Sequence, residues 1–158
     1  MKSHDEMMKE IDGQEARLRF DSFTNEDALT IGLMLIEKAK EENRKIAIDI
    51  VRSGQQIFRY AFEGTSPDND FWIAGKTRLV NRMFTSSLKY ELMVKNSGKP
   101  LSEIIHTPGN RFLAGGGSFP IIVKNVGVIG TITVSGLTGY EDHMMVVDVL
   151  SEYLDKSR

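Results

Sequence analysis

Two alternating stretches constrain this chain more than any other feature. Residues 45–52 place Ile46, Ile48 and Ile50 on one side and Ala47, Asp49 and Val51 on the other. Residues 128–135 set Val128, Gly130, Ile132 and Val134 against the more polar Ile129, Thr131, Thr133 and Ser135. A period of two marks a strand with two distinct faces. Each stretch adjoins a turn signal, Ser53-Gly54 or residues 125–127, and a second extended run, 55–62 or 118–124. Both pairs read as β-hairpins. Residues 16–20 read as a further short strand, so an antiparallel sheet of about five strands is expected.

Helix signals fill the gaps. Thr24 is an N-cap with Glu26 and Asp27 in the first turn, where negative charge suits the helix dipole. The helix it opens is apolar nearly all round, as in an element buried on two sides. Ser66-Pro67 reads as N-cap and first helical residue, with a helix that continues, bending, through Leu88 to Val94. Thr138 and Glu141 form a capping box before a last helix striped with Val146, Val149, Leu150 and Tyr153. The first dozen residues read as a short helix, frayed at the end. The expectation is one α+β domain over 1–158, with 1–14 as an N-terminal helical extension and 16–156 as the domain proper. Helices flanking the sheet give α-β-α layers of the profilin and PAS/GAF class.

Composition narrows the chemistry. The net charge is −2, so no general attraction to nucleic acid or anionic lipid is expected. There is no cysteine, which removes disulfides, thiolate nucleophiles and cysteine-based metal sites. The three histidines show no metal-ligand spacing, so no metal is expected. The charged N-terminus does not read as a signal peptide, and no stretch reads as a membrane span. A cytoplasmic location is expected.

A specific resemblance rests on several motifs in order: Asp70-Phe71-Trp72-Ile73 with Lys76, Phe84-Thr85-Ser86-Ser87, Gly115-Gly116-Gly117-Ser118-Phe119-Pro120-Ile121, Gly127-Val128-Ile129-Gly130, Val134-Ser135-Gly136 and Glu141-Asp142-His143. Over about residues 20–155 the chain resembles the haem-degrading-domain family, the HbpS- and GlcG-like proteins, and is most similar to its cytosolic UPF branch. At Gly115, Gly75 and Ile122 it departs from a pattern in which many members carry His, Arg and Arg. The resemblance implies a homo-oligomer and a small anionic ligand, with haem as the cofactor candidate.

Three groups are candidates for binding that ligand. Gly115, Gly116 and Gly117 can turn backbone N–H groups into an anion-binding nest, with the Ser118 hydroxyl beside it. The same run also serves a chain that only turns tightly into a strand. Lys76, Arg78 and Arg82 share a helix, and the two arginines, four apart, lie on one face. Either an anion or neighbouring acids would relieve their repulsion. His143, at the start of the last helix, can be an acid–base group, a haem ligand or a structural residue; His106 can join it. Asp49, in an apolar strand, needs a partner if buried. Trp72 and Phe71 can stack on a flat ligand or pack in the core. The leading expectation is a ligand-binding oligomer. A non-catalytic oligomeric scaffold and an acid-metabolising enzyme using His143 are the alternatives.

Overall fold

Three hydroxyl side chains begin three helices. Ser3, Thr24 and Ser66 each accept a first-turn N–H and are answered by an N3 side chain, opening α1 (His4–Arg17), α2 (Asn25–Glu41) and α3 (Pro67–Met83). The computed structural model describes residues 1–156. Its remaining elements are β1 (Ala47–Arg52), β2 (Gln55–Ala61), α4 (Ser87–Ser97), α5 (Leu101–Ile104), β3 (Ser118–Val123), β4 (Gly127–Ser135) and α6 (Gly139–Lys156). The strands form one sheet in the order β2-β1-β4-β3, antiparallel throughout.

Register sorts the side chains into two faces. Ile50, Ile132 and Phe119 line up across β1, β4 and β3, and Ile48 pairs with Val134. This apolar face packs against Ile31 and Leu35 of α2 and Val146 and Leu150 of α6, forming the main core. On the other face Asp49, Thr133 and Ser118 line up, and α3 covers them with polar contacts. Thr77 Oγ1 lies 3.3 Å from Thr133 Oγ1, and Asn69 donates to Ser135 Oγ at 3.1 Å. The expected α-β-α layering is therefore present, with one greasy face and one polar face.

Four strands form the sheet, not five. Residues 16–20 make no strand, because α1 continues through Arg17. Only Phe20 joins the sheet, by a single parallel bridge to Val123. Nor is α1 frayed: Ile11 packs on Leu88 and Leu92 of α4. The Glu15 carboxylate accepts the Ser86 N–H at 2.8 Å, the Ser86 hydroxyl at 2.7 Å and the Thr85 hydroxyl at 2.8 Å. Glu15 thus caps α4 from another helix, satisfying orphan donors at its start. The expected bent helix is two helices for the same reason. The chain breaks at Phe84, whose φ is 59°, and Glu15 takes the N–H that a continuous helix would have used.

Candidate functional site

Lys76 sits on α3 three residues after Ile73 and four before Val80, both buried, so helical spacing turns its side chain into the protein. It is 2% exposed. Its ammonium donates to the carbonyls of Gly116 at 2.9 Å and Val134 at 2.8 Å, and to Asp142 Oδ2 at 3.5 Å. Asp142 is 3% exposed, and its other oxygen accepts the Leu137 N–H at 2.9 Å. Burial pulls Lys76 below the usual lysine range and pushes Asp142 up to about 6, while each charge favours the other. Three acceptors around one Nζ hold its proton in place. The pair pins together α3, the end of β4, the glycine turn and the start of α6.

The glycines exist to let these groups approach. A Cβ on Gly117, whose φ is 128°, would lie 2.6 Å from Lys76 Nζ. The Gly116 N–H donates to Glu91 Oε1 at 2.9 Å, and Lys95 holds Glu91 Oε2 at 2.8 Å. A Cβ on Gly139 would collide with that same Glu91 Oε1. The Ser118 N–H donates to Ser87 Oγ at 3.1 Å. In this structure the donor of the expected nest is held by the protein's own carboxylate.

Above this turn lies a cleft of about 490 Å³. One wall is Trp72 with Asp68 and Asn69 at the start of α3; Glu91 and Lys95 of α4 face them. The floor is Lys76, Gly115, Gly116 and Asp142. Trp72 is 38% exposed, leaving part of its ring free to meet a ligand.

Of the candidates from the sequence, Lys76, Gly115 and Gly116 line the cleft, and Gly117 lies against its floor. Ser118 is fully buried and its hydroxyl accepts from Thr133 at 2.9 Å. Arg78 and Arg82 do not line the cleft. Arg78 donates to the Arg111 carbonyl at 3.3 Å, and Arg82 to Thr107 Oγ1 at 2.8 Å and the Ile105 carbonyl at 3.0 Å. Arg82 also lies 5.1 Å from the Phe112 ring centroid. The protein answers their repulsion with loop carbonyls and an aromatic face.

His143 does not line the cleft either. It is 1% exposed, its Nε2 lies 2.6 Å from Gln14 Oε1 and its ring 5.7 Å from Phe119. Nδ1 is buried with no hydrogen-bond partner. Burial lowers its pKa to about 4, so the ring is neutral. His106 and His4 border a separate depression of about 770 Å³, with Met93 and Lys99. Asp49 is buried but partnered, by Gln56 at 2.6 Å and Arg59 at 3.6 Å. Among the described residues no cluster of three or more His, Asp or Glu can hold a metal ion. No helix there is long and apolar enough to cross a membrane.

Sequence reasoning missed Asp142 and Glu91. Asp142 had a signal: it lies four residues before Val146 and seven before Val149, on the buried stripe of the last helix. Glu91 had none, because its role depends on a glycine turn 25 residues away.

Comparison with known proteins bears on this architecture. A model of haem-degrading HbpS-like proteins matches residues 23–151. A UPF0303 protein of Streptomyces coelicolor is 43% identical over 145 residues, 92% of each chain. The solved structure of the Ybr137w protein is 29% identical, with a TM-score of 0.84 over 95% of this chain and 88% of that one. A PduOC–haem complex shares the fold, with a TM-score of 0.69 over 82% of this chain and 94% of that one at 14% identity.

Proposed function

The chain belongs to the family of HbpS-like haem-degrading proteins, and from that premise we propose that it binds a small ligand in the cleft over the glycine turn. One observation carries the reading. A half-exposed Trp72 faces a turn whose backbone is fixed from beneath by the buried Lys76–Asp142 pair. Fixed polar groups orient a small ligand and an aromatic face gives it a contact surface, and this largely polar cleft supplies both. A cleft of about 490 Å³ suits a ligand of modest size with a flat body and a polar end. Trp72 is the single tryptophan, so its fluorescence reports the cleft directly. Saturable quenching by such ligands, lost on filling the floor with Gly115→Leu, supports the reading. Quenching that Gly115→Leu leaves unchanged counts against it.

Haem, which the family implies, does not fit this cleft. Its lining contains no His, Met, Cys or Tyr to ligate iron, and Lys76 is already committed to three acceptors. A second reading attaches haem to the depression among α1, α4 and α5. Its border includes His4, Met93 and His106, all haem-ligand types, with Lys99 as a cation for a propionate. A hemin titration followed in the Soret band tests it. A saturable shift weakened by His106→Ala supports this reading; a shift indifferent to both histidines, or none, removes it.

We read the protein as a homo-oligomer. β2 is an edge strand with exposed ends, and such edges favour pairing. Light scattering should give a mass above one chain.

A further inference from the structure

The ligand class is written in what already occupies the floor of the cleft. Glu91 reaches from α4 and places Oε1 2.9 Å from the Gly116 nitrogen. Its other oxygen sits 2.8 Å from Lys95 Nζ. One carboxylate thus takes a backbone N–H and an ammonium together, the pairing that recognises carboxylates in general. Two glycines shape the seat. At Gly139 a Cβ would run into Glu91 Oε1, and at Gly116 into the Gly139 carbonyl. The absent side chain at Gly139 leaves room for the carboxylate, and the one at Gly116 lets the two backbone segments close beneath it.

Glu91 is tethered at the rim rather than locked in. Its side chain keeps 16% of its exposure and that of Lys95 70%. A swing of the pair toward solvent breaks one backbone hydrogen bond and keeps the ion pair. It uncovers the Gly116 N–H beside the exposed edge of Trp72.

We propose that Glu91 is a built-in competitor, seated where the carboxylate of a small organic acid binds, and that ligand entry displaces it. The inference rests on the reading of the cleft as the ligand site, and it adds the class of ligand and the residue that sets its affinity. Binding exchanges one carboxylate for another on the same N–H, so the exchange is nearly balanced in wild type. Glu91 weakens affinity and excludes ligands that offer no carboxylate.

The test uses the full-length protein with benzoate and benzylamine, which share a flat ring and carry opposite charges. Binding is read from Trp72 fluorescence. Glu91→Ala empties the seat and leaves Lys95 without its acid. Glu91→Gln keeps an acceptor for the Gly116 N–H but drops the charge. Benzoate should bind Glu91→Ala about tenfold more tightly than wild type, with a smaller gain for Glu91→Gln. Benzylamine should gain nothing. Thermal unfolding of each variant accompanies the titrations, and Glu91→Gln decides the matter if Glu91→Ala fails to fold. Benzoate binding that is equal or weaker in folded Glu91 variants overturns the competitor role and leaves the cleft reading standing. An equal gain for benzylamine overturns the carboxylate class. No response of Trp72 in any folded variant overturns both the inference and the cleft reading.

Discussion

Lys76 Nζ lies 3.5 Å from Asp142 Oδ2, with 3% and 4% of the two side chains exposed. The contact joins the middle of α3 to the first turn of α6 across the end of β4. Removing one member of such a pair leaves the other charge buried and unanswered. Lys76→Met should therefore cost about 3–5 kcal/mol. The double variant Lys76→Met with Asp142→Leu should cost clearly less than the two single losses summed, since no lone charge remains. Urea unfolding of the four proteins at pH 7 completes the cycle. Additive losses would mean that the two side chains act separately and that the pair does not fix the floor.

His143 gives the fold a pH dependence of known sign. Its folded pKa is lowered to about 4 by burial, against an ordinary value of 6.5, with Glu10 pulling weakly the other way. The unfolded chain then binds the proton more readily than the folded one. The stabilisation is complete above about pH 6.5 and is lost as pH falls through 4. The loss between pH 7 and 4.5 should be about 2–3 kcal/mol. Asp142 works oppositely: its raised pKa lets the folded state hold a proton between the ordinary value of 3.8 and about 6, so its contribution falls as pH rises through that window. Comparing wild type with His143→Gln at both pH values cancels the Asp142 effect. The variant should lose about 2–3 kcal/mol less than wild type on acidification; identical losses would show that the ring is protonated in the folded state.

The layers were legible because they rest on local spacing. The period-two runs, the capping residues at Ser66 and Thr138, and the helix stop at residues 97–100 all report on neighbours within a few positions. What failed depended on distance. Arg17 is helical rather than extended because Gln14 meets His143, 129 residues on, and Glu15 meets Ser86, 71 residues on. His143 is open, on sequence alone, to a ligand role or a structural one, and only the fold shows that Gln14 and Phe119 enclose it. Arg78 and Arg82 are expected to meet an anion or neighbouring acids, yet loop residues 105–112 supply their acceptors. The glycine run borders the cleft. Its apparent freedom to bind an anion vanished because Glu91, invisible as a partner in the sequence, holds the N–H of Gly116.

Glu15 ties α1 to the start of α4, and its removal should show this. Its carboxylate receives Thr85 and Ser86 donors and lies 3.6 Å from Lys89 Nζ. Hydrogen bonds to a charged acceptor contribute about 1.5–3 kcal/mol. Glu15→Ala should lose an amount in that range, and Glu15→Gln less. Amide exchange in α1 and in the first turn of α4 should quicken together. Faster exchange confined to α1 would mean that α4 keeps its start without the cap.

Gly139 offers the sharpest check on the floor of the cleft, because two effects of one methyl group oppose each other. Gly139 opens α6, and alanine is favoured over glycine in a helix interior by about 1 kcal/mol, a gain that shrinks at the first position. The same methyl would collide with Glu91 Oε1 and push the carboxylate off the Gly116 N–H, and it would also lie 2.9 Å from the Gly116 nitrogen, backbone that must shift to admit it. Gly139→Ala should therefore lose stability despite the better helix former. It should also speed exchange of the Gly116 amide and shift Trp72 emission, because the carboxylate moves into the cleft that Trp72 borders. Glu91→Ala should produce the same amide exposure without the methyl. A double variant should then exchange no faster at Gly116 than either single one, since both remove the same bond. Independent, additive increases would mean that the methyl disturbs the turn by some route other than Glu91, and that the seat is not shared.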